Sequence, residues 1–106
     1  MAFDTISRDL MISSLKNYLK DNISQDFLRT CDAQNVCPED FVRKLNKDLG
    51  ITKFLSSVEG GGLGANTSDV YLLCEELGRT DLGIATVIFA TFLGTDPINV
   101  GGTQEQ

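Results

Sequence analysis

The segment DLGIATVIFATFLG, residues 81–94, decides the fold of this chain. Asp81 is a residue type that caps helices, and no charged residue follows it before Gly94. The helix predicted here is apolar on every face, so every face of it needs to be covered. A chain of 106 residues has little material with which to surround such a helix, and we expect further protein to cover part of it.

The remaining segments predict helices almost throughout. Four more helix starts are marked by capping residues or by a first-turn proline: Ser7, Ser24, Pro38, and Thr67 or Ser68. Two helix ends are marked by glycine, at Gly50 and Gly78. Apolar residues recur there at three- or four-residue spacing: Leu10, Met11, Leu15, Tyr18 and Leu19; Phe27, Leu28 and Cys31; Phe41, Val42, Leu45 and Leu49; Leu72, Leu73 and Leu77. Residues 51–58 are predicted to be extended. The sequence therefore predicts an all-α fold, a small helical bundle of about five or six helices with residues 1–106 in one domain.

A glycine-rich stretch, EGGGLG at residues 59–64, predicts a turn with unusual backbone angles. A phosphate-binding loop is the alternative interpretation. However, a dinucleotide fingerprint needs a preceding strand, and a P-loop needs Gly-Lys-Ser/Thr, neither of which the sequence offers. A tight connection between helices is the favoured interpretation.

The last four residues, Thr103-Gln104-Glu105-Gln106, match the capping box that opens a helix. Such a box is useful where more helical turns follow, so we expect the domain to continue into further protein. A polar tail that matches by chance is the alternative.

Composition and charge restrict the function classes. The formal charge is −6, and the basic residues form no stripe along which a nucleic acid could bind. The chain has no histidine, which removes Ser or Cys triads, and its three cysteines lack metal-ligand spacing, so no metal site is predicted. The longest uncharged run is shorter than the roughly 20 residues of a membrane span, and the start, MAFDTISRDL, lacks the features of a secretory leader. We expect a cytoplasmic protein without nucleic-acid or membrane partners.

Two adjacent carboxylates, Glu75 and Glu76, invite interpretation as catalytic groups. Neighbouring helix positions point about 100° apart and cannot converge on one atom. We expect an ion pair with Arg79 instead.

Residues 49–106 resemble the N-terminal helical domain of the acyl-CoA dehydrogenase family. The resemblance is carried by Leu49-Gly50, Gly61-Gly62-Leu63-Gly64, Glu75-Glu76-Leu77-Gly78-Arg79 with Asp81, Leu93-Gly94, Pro97-Ile98 and Gly102-Thr103-Gln104-Glu105-Gln106. One departure is Ser56-Ser57-Val58 before the turn, where the family usually has Pro-Glu and an aromatic residue. Residues 1–48 match only as a capped helical pattern.

The resemblance implies an FAD-dependent oxidoreductase of acyl-CoA metabolism. Members remove an α-proton from an acyl-CoA thioester with a carboxylate, pass the β-hydrogen to the flavin as hydride, and deliver the electrons to an electron-transfer flavoprotein. A β-barrel-like middle domain and a second helical domain supply the catalytic glutamate, the main FAD contacts and the oligomer interface. We therefore predict no catalytic or cofactor-binding residue within residues 1–106, no activity or stable flavin complex for this chain alone, and a homo-oligomer for the complete enzyme.

Alignment on Leu93-Gly94 assigns the wall of the acyl-chain pocket to this chain. Ala85, Phe89 and Leu93 are the predicted substrate-binding residues, with Ile88 and Phe92 at the border. We expect bulky Phe89 to shorten the pocket and favour short or compact acyl groups. The alternatives are that Phe89 is simply core packing, or that the chain is a stand-alone helical protein-interaction module without catalytic activity. This domain does not distinguish a dehydrogenase from relatives that catalyse oxidase, monooxygenase or desulfinase reactions.

Overall fold

The computed structural model describes residues 4–106. Residues 1–3, which begin the N-terminal segment that lacks the features of a secretory leader, lie outside this range. Six α-helices and no strand are present in that part of the chain. They are α1 (Thr5–Asn22), α2 (Gln25–Gln34), α3 (Glu39–Leu49), α4 (Ile51–Phe54), α5 (Thr67–Thr80) and α6 (Leu82–Gly101). The predicted all-α bundle is confirmed.

Local capping chemistry sets most of the helix boundaries. The predicted caps at Ser24 and Asp81 are confirmed, because each side chain accepts a hydrogen bond from the backbone N–H three residues on. Gly50 ends α3 in the left-handed region, with φ 66°. Ser7 does not cap α1. Its backbone N–H donates a 2.7 Å hydrogen bond to the carboxylate of Asp4, which is the cap, so the helix begins at Thr5.

Three other predicted boundaries are wrong. Helix α5 is capped by Asn66, whose side chain and that of Asp69 form a reciprocal capping box, and it ends at Thr80 rather than at Gly78. Residues 51–58 are not extended. They begin with the single turn of α4, because the left-handed Gly50 redirects the chain so that the apolar residues after it enter the core.

Helix α6 is longer than predicted, since it continues through Gly94 and past Pro97 to Gly101. Gly94 is not among the positive-φ glycines, so its backbone does not end the helix. Proline fixes φ near the helical value, although it removes one backbone hydrogen bond. The Thr103–Gln106 box has both reciprocal hydrogen bonds, of 2.8 and 3.3 Å.

The core lies between α5 and its two neighbours, α1 and α6, with α3 and α4 closing the side next to α6. The most completely buried large side chains are Phe54, Leu15, Leu45, Ile51, Leu73, Leu77 and Ile84. Burying leucine, isoleucine and phenylalanine side chains stabilises the fold by about 1.5–3 kcal/mol each. Helix α6 is therefore held on one side by the core.

Polar contacts also join helices that are distant in sequence. The buried carboxylate of Asp69 accepts the backbone N–H of Asn66 at 2.9 Å and lies 4.0 Å from the guanidinium of Arg8 on α1. Tyr18 donates a 2.7 Å hydrogen bond from its hydroxyl to Asp48 at the end of α3. These contacts fix α1 against α5 and α3.

The glycine-rich turn is closed by its own hydrogen bonds. Every backbone N–H from Gly60 to Gly64 donates to a main-chain carbonyl of residues 53–58. Gly61 and Gly64 have φ values of 83° and 71°, and a Cβ on Gly62 would collide with the carbonyl of Ser56. The turn is a tight connection between helices, as favoured from the sequence.

Candidate functional site

Helix α6 presents two different faces along its length. Ile84, Ala85 and Ile88 are buried in the core, and Phe92 is half-buried against it. Because successive residues turn by about 100°, these side chains lie on one side of the helix. Core packing therefore holds α6 in place while its other side remains uncovered by the described residues.

The uncovered side carries a line of large apolar side chains, Leu82, Phe89, Leu93 and Val100, which we call the outer stripe. Their separations of seven, four and seven residues bring them within about 40° of one line along the helix. Leu82, Leu93 and Val100 are 75%, 60% and 84% exposed. Exposed large apolar side chains aligned in this way make this side of α6 a candidate site for a ligand or another protein surface.

The predicted substrate-binding residues run from the core to this stripe. Ala85, Phe89 and Leu93 are 7%, 38% and 60% exposed, because each step of four residues advances by about 40° around the helix. Phe89 and Leu93 thus offer surface to a ligand, and Ala85 offers little. Of the two border residues, Ile88 is buried in the core, whereas Phe92 contacts Phe89 with ring centroids 5.6 Å apart. Their role as a pocket wall stays a prediction.

A cavity of about 400 Å³ flanks α6 on the side of Phe92. Its apolar lining includes Leu55, Val58, Ala65, Val70 and Phe92. This space could not be predicted from the sequence, because it arises from the packing of residues 55–67 against α6. The weakened match to the family just before the glycine turn was the one signal that pointed to this region.

A second cleft, of about 320 Å³, lies where α2 and the segment after it meet the start of α6. Cys31 and Cys37 line it together with Val87. All three cysteines of the chain are free, and burial raises the pKa of the Cys74 thiol, which lowers its reactivity at neutral pH.

The adjacent carboxylates that suggested catalysis lie on α5, where one of them forms a surface ion pair. Glu75 and Arg79 lie 3.6 Å apart on α5, as expected from their spacing, and both are exposed. Among residues 4–106 no group of three potential ligands is close enough to hold a metal ion. The glycine-rich turn has no outward N–H group for the phosphates of a flavin, because its amides donate to the main chain.

The length and composition of α6 would also allow it to cross a membrane. The same features occur in the core helix of a globular protein, and Ile84, Ala85 and Ile88 of α6 are part of such a core. The absence of a membrane partner stays a prediction.

No solved structure matches this chain. The sequence model of one family, described as acyl-CoA dehydrogenase, N-terminal domain, matches residues 7–106. This match extends over the first half of the chain, where the sequence alone showed only a capped helical pattern. Together with the all-α fold, it establishes that the chain belongs to the acyl-CoA dehydrogenase family as an N-terminal helical domain.

Proposed function

We propose that this chain is the N-terminal helical domain of an FAD-dependent acyl-CoA dehydrogenase that desaturates an acyl-CoA at the α,β position, and that it walls the acyl-chain pocket. The observation that carries the proposal is the outer stripe of α6. It places Phe89 and Leu93, at positions that the family resemblance assigns to the pocket, on apolar surface that the described residues leave uncovered.

The contribution of this chain to the reaction is positioning and exclusion of water. In the complete enzyme, other domains of the family would bind FAD, which would supply the hydride-accepting chemistry. The side chains of Phe89 and Leu93 would contact the methylene groups of the acyl chain, each of which gains about 0.8 kcal/mol on burial. Their size would then determine how many methylenes fit.

The electron acceptor and the oligomeric state follow from the family, whereas the location follows from the sequence. We infer an electron-transfer flavoprotein as the electron acceptor, a homo-oligomeric complete enzyme and a cytoplasmic location. The net charge of −6 and the scattered basic residues support the inference that nucleic acid is not a partner.

Chain-length preference in the complete, flavin-loaded enzyme tests the proposal. We expect Phe89→Ala to raise kcat/KM for acyl-CoA substrates one or two methylenes longer, by about fourfold per methylene accommodated. Leu82→Ala is the matched control, because Leu82 lies on the same stripe but outside the predicted pocket wall. An unchanged preference in Phe89→Ala would contradict the proposed wall.

A stand-alone interaction module is the second candidate. It is favoured by one observation: the outer stripe extends to Leu82 and Val100, beyond the residues assigned to the acyl chain. Such a module would bind a partner through the whole stripe, and Leu82→Ser would weaken that complex as much as Leu93→Ser. For an acyl-pocket wall, Leu93→Ser alone would reduce acyl-CoA turnover.

A further inference from the structure

Phe89 and Phe92 form a ring pair at the boundary between the outer stripe and the core. Their centroids are 5.6 Å apart and their planes are inclined by 36°. This separation lies in the range of favourable aromatic contacts. The i, i+3 spacing on α6 keeps the two side chains next to one another on the helix surface.

The two rings differ in how firmly the protein holds them. Phe92 is half-buried and packs against the core, whereas Phe89 is 38% exposed. The ring of Phe89 is therefore supported from one side by a residue that the core itself holds in place.

A cavity beside Phe92 gives the support of the Phe89 ring a structural effect. Phe92 lines the cavity of about 400 Å³, together with Val58 and Val70. Removing the ring of Phe92 would enlarge that cavity beside Phe89. The ring of Phe89 would then have room to rotate away from the outer stripe.

We propose that Phe92 is a positioning residue for acyl-chain selection: it holds the Phe89 ring in the orientation that limits the length of the acyl group. The inference rests on the proposed function and changes the role of Phe92 from a border residue of the pocket wall to a residue that acts through Phe89 rather than on the substrate. The two rings thus form one selective unit, and chain-length preference depends on both.

A double-mutant cycle in the complete flavin-loaded enzyme tests this inference. The readout is the ratio of kcat/KM for a longer straight-chain acyl-CoA to that for a shorter one, because a loss of stability alone does not change this ratio. We expect Phe92→Ala to raise the ratio by roughly two- to tenfold, the range that an aromatic pair is worth. The change should not add to that of Phe89→Ala in the double variant.

Three further variants separate positioning from general damage. Phe92→Tyr retains the ring and should keep the wild-type ratio, whereas Phe92→Leu retains apolar bulk without the ring and should raise the ratio even if Phe92→Ala fails to fold. Val70→Ala loosens the same cavity from α5 and should leave the ratio unchanged.

Each remaining outcome has a definite meaning. If Phe89→Ala changes the ratio but neither Phe92→Ala nor Phe92→Leu does, the positioning role is overturned and the proposed function stands. If Val70→Ala changes the ratio as much as Phe92→Leu, general loosening explains the effect and the positioning role is again overturned. If no variant, including Phe89→Ala, changes the ratio, the pocket wall itself is wrong.

Discussion

Alanine substitutions at Ile88 and Leu93 test the two-faced character of α6 directly, because both side chains are large, aliphatic and on the same helix. Ile88 is 4% exposed and Leu93 is 60% exposed. Loss of a buried isoleucine side chain costs about 2–5 kcal/mol, from lost transfer free energy and the cavity left behind. About two fifths of Leu93 is covered, so its truncation should cost about 1 kcal/mol or less. Alanine also recovers a few tenths of a kcal/mol in helix propensity.

Urea unfolding of the 106-residue chain measures this difference. Far-UV circular dichroism is the suitable probe, because the chain has no tryptophan. Ile88→Ala should lower the free energy of unfolding by about 2–5 kcal/mol, and Leu93→Ala by about 1 kcal/mol or less. If the chain is only marginally stable, a stabilising osmolyte keeps all three proteins folded at the start of the titration. Equal losses for the two variants, with unchanged m-values, would refute the division of α6 into a core face and an uncovered face.

The remaining predictions concern the turn, the α1 to α3 contact and the outer stripe. A Cβ at Gly62 would collide with the carbonyl of Ser56, so Gly62→Ala should lower the free energy of unfolding by about 1–3 kcal/mol. Gly78 has open space around it in α5, so Gly78→Ala should raise the free energy of unfolding by roughly 0.5–1 kcal/mol. Urea unfolding measures both changes. Partial burial and the hydrogen bond and charge of Asp48 raise the pKa of Tyr18 from 10.0 to about 12. The folded protein therefore favours the protonated phenol. The resulting stabilisation is full below about pH 10 and is lost as pH rises through about 12. Tyr18→Phe should remove this pH dependence from the unfolding curves, and the high-pH step from the phenolate absorbance titration. The isolated chain should bind a hydrophobic dye or self-associate through the outer stripe, as measured by dye fluorescence and light scattering; a sharp unfolding transition without dye binding would be the contrary result.

Helix content and several boundaries could be predicted because they depend on neighbouring residues. Ser24, Gly50 and Asp81 act within one helical turn, through hydrogen bonds to backbone groups close in sequence or through a permitted left-handed φ. Where two candidates competed, the prediction failed: Asp4 precedes Ser7 and Asn66 precedes Thr67, and in each case the earlier side chain accepts the N–H three residues on.

Helix α4 and the full length of α6 could not be predicted from local signals. Ile51 and Phe54 follow a glycine that indicates an end, yet burying them in the core stabilises one further helical turn. Gly94 and Pro97 likewise indicate an end to α6, although neither backbone conformation forbids the helix from continuing. For α4, the local preference of about 1 kcal/mol against glycine in a helix is small beside the free energy of burying Ile51 and Phe54.

By itself the sequence determined the helical class, the family and the apolar character of α6, because composition, capping and motif spacing are properties of the chain in order. Only the tertiary structure decided which side of α6 enters the core, which side carries the outer stripe, and that Phe92 both contacts Phe89 and lines a cavity. A helix that is apolar all round gives no periodic signal for the face it buries. That choice was made by the packing of α6 against its neighbour α5 and against α3 and α4, which lie farther away in sequence.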